Sequence, residues 1–283
     1  MNSENSLELP GFYVDCAWLA QNINHPDLRI IQVGGDKFYR QIHLSGAVMI
    51  SYDDFTSKLD GVPGMRPDSE VLAALFGRLG ITPSTKVVAY DVGGGQDAGR
   101  LIWTLATMGH HTGAVLDGGI ATWYQEKREL VAIVPEIAAV EFVANHEDYW
   151  RVDLEEMQGV LAGDGNGALL LDVRSSKEYL GFEGTGPKGH IAGARHFDWV
   201  ETLSGPNDAR LLPRERLQEM FAARGVEDPE QEVIIYCQTA HRAAQTWALL
   251  RNMGFHKVRM YDGSIAEWGF RQNLPLVVGD QPG

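Results

Sequence analysis

The chain has 283 residues, enough for two modest domains and too many for one average hydrophobic core. A formal net charge of −14 argues against nucleic acid or an anionic membrane as partner. It leaves room for a small anionic ligand, because screening acts over about 10 Å and the field of a single loop decides what binds there.

The opening Met1-Asn2-Ser3-Glu4-Asn5-Ser6 is polar and acidic, without the basic region and apolar core of a signal peptide. No apolar run is long enough to cross a bilayer. The 2 cysteines, Cys16 and Cys237, form neither a CxxC pair nor a disulfide framework. The expected compartment is therefore a reducing cytoplasm. Asp15 is positioned to cap a short amphipathic helix opening at Cys16, and that cysteine reads as a packing residue.

Short apolar strands are predicted at 28–33, 47–50, 86–90 and 114–116, alternating with helical stretches. From 125 to 150 the pattern weakens and charges mix with Pro135, so residues 133–147 read as a linker. Its Ile133, Val134, Ile137, Val140 and Phe142 suit it to lie across a domain surface. Strands resume at 168–173, near 194–197, at 233–236 and at 257–261. The expected fold is α/β: residues 1–132 and 148–283 each form a mostly parallel sheet flanked by helices.

The two halves repeat each other. Ile42-His43-Leu44-Ser45-Gly46-Ala47 returns as Gly189-His190-Ile191-Ala192-Gly193-Ala194, and Val87-Val88-Ala89-Tyr90 as Val233-Ile234-Ile235-Tyr236. Leu116-Asp117-Gly118-Gly119-Ile120 returns as Tyr261-Asp262-Gly263-Ser264-Ile265. The matching histidines, His43 and His190, point to a shared structural role.

The loops after Tyr90 and Tyr236 differ. The second half has Cys237-Gln238-Thr239-Ala240-His241-Arg242, placed between a strand and a helix. Free N–H groups and the dipole at a helix N-terminus stabilise a thiolate or a bound anion, and Arg242 and protonated His241 add positive charge. Such surroundings bring a cysteine from about 8.5 to roughly 3.5–7.5, so Cys237 reads as a nucleophile. A thiol turned inward, sealed from water among hydrocarbon, would contradict that reading. The first half has Asp91-Val92-Gly93-Gly94-Gly95-Gln96-Asp97, one residue longer, without sulfur and with two carboxylates. It is expected to be catalytically silent. Its glycines make no P-loop, since no Gly-Lys-Ser/Thr follows.

From about residue 12 to 275 the chain resembles the two-domain rhodaneses, or thiosulfate sulfurtransferases. The marks are Leu171-Asp172-Val173-Arg174, Gly189 to Ala194, the loop Cys237 to Ala243, and Tyr261-Asp262-Gly263-Ser264 followed by Glu267-Trp268-Gly269. The loop is similar to that of bacterial thiosulfate:cyanide enzymes and less so to the Cys-Gly-Ser-Gly-Val-Thr loop of mercaptopyruvate sulfurtransferases. The resemblance implies tandem rhodanese-like domains, the first inactive. It also implies ping-pong transfer of sulfane sulfur from thiosulfate to cyanide or another thiophilic acceptor through a Cys237 persulfide, with no metal and no organic cofactor. A thioredoxin-like or other sulfur-acceptor protein is a candidate partner. One position departs: where mercaptopyruvate and animal-type members often carry arginine four residues after Arg174, this chain has Glu178.

In that scheme the amides of Gln238, Thr239 and Ala240 hold the sulfur, with the Thr239 hydroxyl a further donor. Arg242 takes the sulfonate-like end of the donor through a forked contact. His241 donates a hydrogen bond or is simply exposed, and Trp199 walls the pocket or packs in the core. Arg174 is a donor-binding candidate, although with Asp172 it reads more as a structural pair. The alternatives are 3-mercaptopyruvate transfer, a cysteine-dependent phosphatase, whose cysteine-to-arginine ring is one residue longer, and a sulfur-carrier or regulatory binding module.

Overall fold

The computed structural model describes residues 6–164, 167–182, 187–271 and 274–283. The chain divides into two compact units. The first gathers residues up to 55, 67–147 and 205–210; the second gathers 56–66, 148–204 and 211–283.

The first unit is built on β1 (Tyr13–Val14), β2 (Leu28–Val33) and β3 (Ala47–Ile50). After these come the hairpin strands β4 (Ser57–Leu59) and β5 (Val62–Met65), which pack with the second unit. Strands β6 (Lys86–Tyr90) and β7 (Gly113–Leu116) complete a five-stranded sheet in the order β1-β7-β6-β2-β3. Every pairing in it is parallel. The second unit has β8 (Arg151–Val152), β9 (Leu169–Asp172), β10 (Arg195–His196), β13 (Val233–Tyr236) and β14 (Val258–Tyr261). Between β10 and β13 in the chain comes a hairpin of β11 (Leu203–Gly205) and β12 (Asp208–Leu211), whose residues 205–210 group with the first unit. The second unit's main sheet runs β10-β9-β13-β14-β8, again parallel throughout. Read from the opposite edge, the two orders are the same, as the sequence repeat requires.

The central strands β6 and β13 carry nearly continuous apolar runs because helices cover both faces of a parallel sheet. Val87, Val88, Ala89 and Tyr90 on β6, and Val233, Ile234, Ile235 and Tyr236 on β13, have no exposed surface. The eight strands expected from the sequence are present. Two-residue β1 and β8 and both hairpins were not foreseen, being too short or too polar to show a period.

The repeated histidines brace both sheets alike. His43 lies between the carbonyls of Tyr39 (2.7 Å) and Ile133 (3.0 Å), and His190 between those of Tyr179 (3.0 Å) and Gln281 (3.1 Å). Each stacks on its tyrosine, with ring centroids 4.1 Å and 3.7 Å apart. Residues 133–147 pack onto the first unit: Phe142 is buried against Phe76, the Val140 N–H donates to the Gly77 carbonyl (2.9 Å), and the Asn145 N–H donates to the Met108 carbonyl (3.0 Å). Asp15 caps helix Cys16–Asn22 through the Trp18 N–H (2.7 Å). Cys16 is buried there, and burial, helped by Glu126, pushes its thiol up to about 12, which suits a packing residue.

Candidate active site

Cys237 directly follows β13 at the carboxyl edge of the second sheet, where ligands of open α/β sheets bind. Helix His241–Asn252 begins four residues later, without a side-chain cap. The turn between them is drawn tight by Ser264, whose Oγ accepts from the N–H groups of Cys237 (3.3 Å) and Ala240 (3.0 Å) and donates to the Tyr261 carbonyl (3.0 Å). Two further bonds run to the loop's carbonyls: the Ile265 N–H donates to Cys237 (3.2 Å) and the Ala266 N–H to Gln238 (3.0 Å). Ala240 takes the left-handed conformation (φ 56°) that swings the chain into the helix. A side chain there costs about 1–2 kcal/mol, a strain that the surrounding bonds sustain.

The first unit shows what this backbone does with an anion. Asp91 follows β6 as Cys237 follows β13, and its carboxylate turns back into its own loop. Asp91 Oδ1 accepts from the N–H groups of Gly93 and Gly95 (both 2.9 Å), and Oδ2 accepts from that of Ala98 (3.0 Å), in the first turn of helix Gln96–Thr107. Burial pushes this carboxyl up, opposed by the three N–H bonds. Gly95 (φ 90°) stands where the second unit has Ala240, and Gly119 where it has Ser264. A built-in carboxylate thus fills the first loop.

Cys237 itself has no exposed surface. That meets part of the condition set against a nucleophilic Cys237, a thiol turned inward and sealed from water, and in that respect the structure departs from the expectation. Polar groups are nevertheless close by: the Ser264 hydroxyl accepts from the residue's own N–H, and the Arg242 guanidinium lies within electrostatic reach of Cys237. Arg242 is not turned outward to await an anion. Its Nη1 and Nη2 donate to Glu178 Oε2 (2.7 Å) and Oε1 (2.9 Å). Glu178 is held from the other side by the Ser175 N–H (3.1 Å) and hydroxyl (2.8 Å) in a capping box at the start of helix Ser176–Tyr179. Burial alone would raise the Glu178 carboxyl, but hydrogen bonds from Arg242 and Ser175 bring it down to about 2. Sequence reasoning noted Glu178 as a departure and did not find this pairing; the residues lie 64 positions apart.

Arg174 is almost completely buried, with Nη2 donating to Asp172 Oδ2 (2.6 Å) and to the Gly189 carbonyl (2.7 Å). Its guanidinium is thus engaged by Asp172 and by the Gly189 carbonyl. Gln238, Thr239 and His241 are partly exposed around the loop. Trp199, also partly exposed, opens the turn Trp199–Thr202 after β10, and its N–H donates to the Val173 carbonyl (3.2 Å). Hairpin β4–β5 also reaches this site, without any periodic trace among its residues. Val62 and Met65 pack against Ala266, and the Arg66 N–H donates to Asp262 Oδ2 (3.0 Å). Gly64 (φ +77°) lies so close that a Cβ there would stand 3.0 Å from both the Cβ and the carbonyl oxygen of Thr239.

A parallel α/β unit with a cysteine turn at the sheet's carboxyl edge, paired with a sister unit whose turn is filled by a carboxylate, defines a class of tandem proteins with one candidate thiol site. The profile of the Rhodanese-like domain matches residues 15–126 and 154–270, and the chain belongs to the rhodanese family. It is 32% identical to a thiosulfate sulfurtransferase of Corynebacterium glutamicum, over 96% of this chain and 92% of that protein. It is 29% identical to the sulfur carrier protein TtuD of Thermus thermophilus, over 96% and 98%. The crystal structure of the 3-mercaptopyruvate sulfotransferase SseA from Escherichia coli superposes with a TM-score of 0.78 at 26% identity, covering 90% of this chain and 98% of that one.

Proposed function

We propose that the sulfur transfer expected of this rhodanese runs through Cys237 with thiosulfate as donor. The Cys237 thiolate attacks the outer sulfur of thiosulfate. The bond between the two thiosulfate sulfurs breaks, its electron pair leaves with sulfite, and a Cys237 persulfide remains. Cyanide or another thiophile then attacks the terminal sulfur, carries it away as thiocyanate or its equivalent, and returns the thiolate.

The observation that carries this reading is the paired loop. In the first unit the turn gathers three N–H donors on the Asp91 carboxylate, and in the second unit Cys237 holds the matching place after β13. The Ala240 N–H, counterpart of the Gly95 N–H, is taken there by the Ser264 hydroxyl, so a persulfide anion would rest on the remaining amides of the turn. Arg242 can seat an anionic donor only by exchanging Glu178 for it, since the guanidinium fork that now holds the carboxylate also matches a sulfonate. The Cys-Gln-Thr-Ala-His-Arg loop favours thiosulfate over mercaptopyruvate. The similarity to a sulfur carrier protein supports a protein acceptor, such as a thioredoxin-like dithiol, beside cyanide.

The test is steady-state formation of thiocyanate from thiosulfate and cyanide. Parallel reciprocal plots, diagnostic of a ping-pong path, are expected, with no activity in Cys237→Ser. Intersecting plots, or an active Cys237→Ser protein, would overturn the proposal.

A further inference from the structure

Glu178 occupies the face of Arg242 that a donor's anionic end would use. The guanidinium is forked onto the carboxylate at 2.7 Å and 2.9 Å, and both side chains are about four-fifths buried. Ser175 fixes Glu178 through two more hydrogen bonds, so the carboxylate is anchored rather than resting on the arginine by chance. Cys237, five residues before Arg242 in the chain, has no exposed surface.

We infer that Glu178 is a specificity-determining residue: an internal carboxylate that competes with the donor for Arg242 and so selects against donors with a strongly anionic end. The inference rests on the sulfur-transfer reading for its biological meaning but not for its physics. An incoming sulfonate must displace a carboxylate that costs the protein nothing to bring, because it is already held in place. It must also share a small, partly dry site with that carboxylate's charge, where like charges repel more strongly than in water. A donor that is neutral or singly charged near the reacting sulfur escapes both penalties. The chemical class favoured is thus an alkyl or protein persulfide over a dianion such as thiosulfate, which is accepted with a raised KM.

The variant Glu178→Gln removes the charge and keeps a side chain that serves in a capping box. Two alkylating agents of similar size, anionic iodoacetate and neutral iodoacetamide, report on the site without turnover. Modification is assigned to Cys237 by peptide mass. The ratio of the iodoacetate to the iodoacetamide rate constant cancels any change in thiol ionisation and leaves the anion preference. It is expected to rise roughly threefold to tenfold in Glu178→Gln, the scale of a lost partly buried charge. The thiosulfate KM is expected to fall by a similar factor with kcat little changed. An unchanged or lower ratio overturns the inference, and so does a Cys237 that neither reagent modifies in either protein. If the ratio rises while the wild-type protein never takes up sulfur, the sulfur-transfer reading fails and the selectivity of Glu178 stands.

Discussion

Asp91 and Cys237 hold the same place in two copies of one turn, each directly after a buried tyrosine whose hydroxyl receives a backbone N–H, from Leu44 to Tyr90 and from Ile191 to Tyr236. One copy supplies its own anion and the other supplies sulfur. Asp91→Ala would leave N–H groups of the first turn without their acceptor, at a cost of about 1–3 kcal/mol for such a buried loss. A lower urea midpoint is the expected result, with sulfur uptake still one atom per chain.

Ser264 holds the cysteine turn where the first unit has Gly119. Its Oγ receives the N–H groups of Cys237 and Ala240, and both it and Ala240 carry positive φ. Ser264→Ala should therefore destabilise by about 1–3 kcal/mol and lower kcat more than it raises KM, because it loosens the turn rather than the donor's seat. Steady-state kinetics beside denaturant melts check the split. An unchanged kcat would show that the turn is held without it.

Gly64 lies against Thr239, where an added Cβ would stand 3.0 Å from its Cβ and carbonyl oxygen, and holds a φ of +77°. Gly64→Ala has to move either the hairpin or the cysteine turn, so a slower sulfur uptake is expected together with a loss of about 1 kcal/mol or more. Stopped-flow measurement of persulfide formation would show the first effect and thermal melts the second.

Acid should loosen the Glu178–Arg242 pair only at low pH. The Glu178 carboxyl lies at about 2 in the folded chain against an ordinary 4.5, so the stability it contributes is fully present above about pH 4.5 and is lost as pH falls through 2. Between pH 5 and pH 2 the unfolding free energy of Glu178→Gln is expected to fall less steeply than that of the wild type. Equal slopes in urea titrations across that range would contradict the pairing.

The parallel sheets were legible because their central strands are nearly continuous apolar runs, and the repeat gave the division into two halves from paired motifs such as His43 and His190. The hairpin Ser57–Met65 was not legible: its strands are three and four residues long and carry Lys58, Pro63 and Gly64, which show no alternation. At the site, Cys237 and its helix were readable from local order. The Arg242–Glu178 fork was not, because a pairing across 64 residues leaves no periodic trace. Ser264 stood in plain view as a substitution for Gly119, a difference between repeats that signals a new side-chain contact. The burial of Cys237 was also hidden, since solvent access depends on what covers the loop and not on the loop's own residues.

Intact-mass analysis of the purified protein after incubation with thiosulfate, and again after cyanide, decides whether Cys237 carries sulfur. A gain of one sulfur atom is expected, located on Cys237, removed by cyanide and absent from Cys237→Ala. An unchanged mass after thiosulfate, or the same gain in Cys237→Ala, would contradict a persulfide on Cys237.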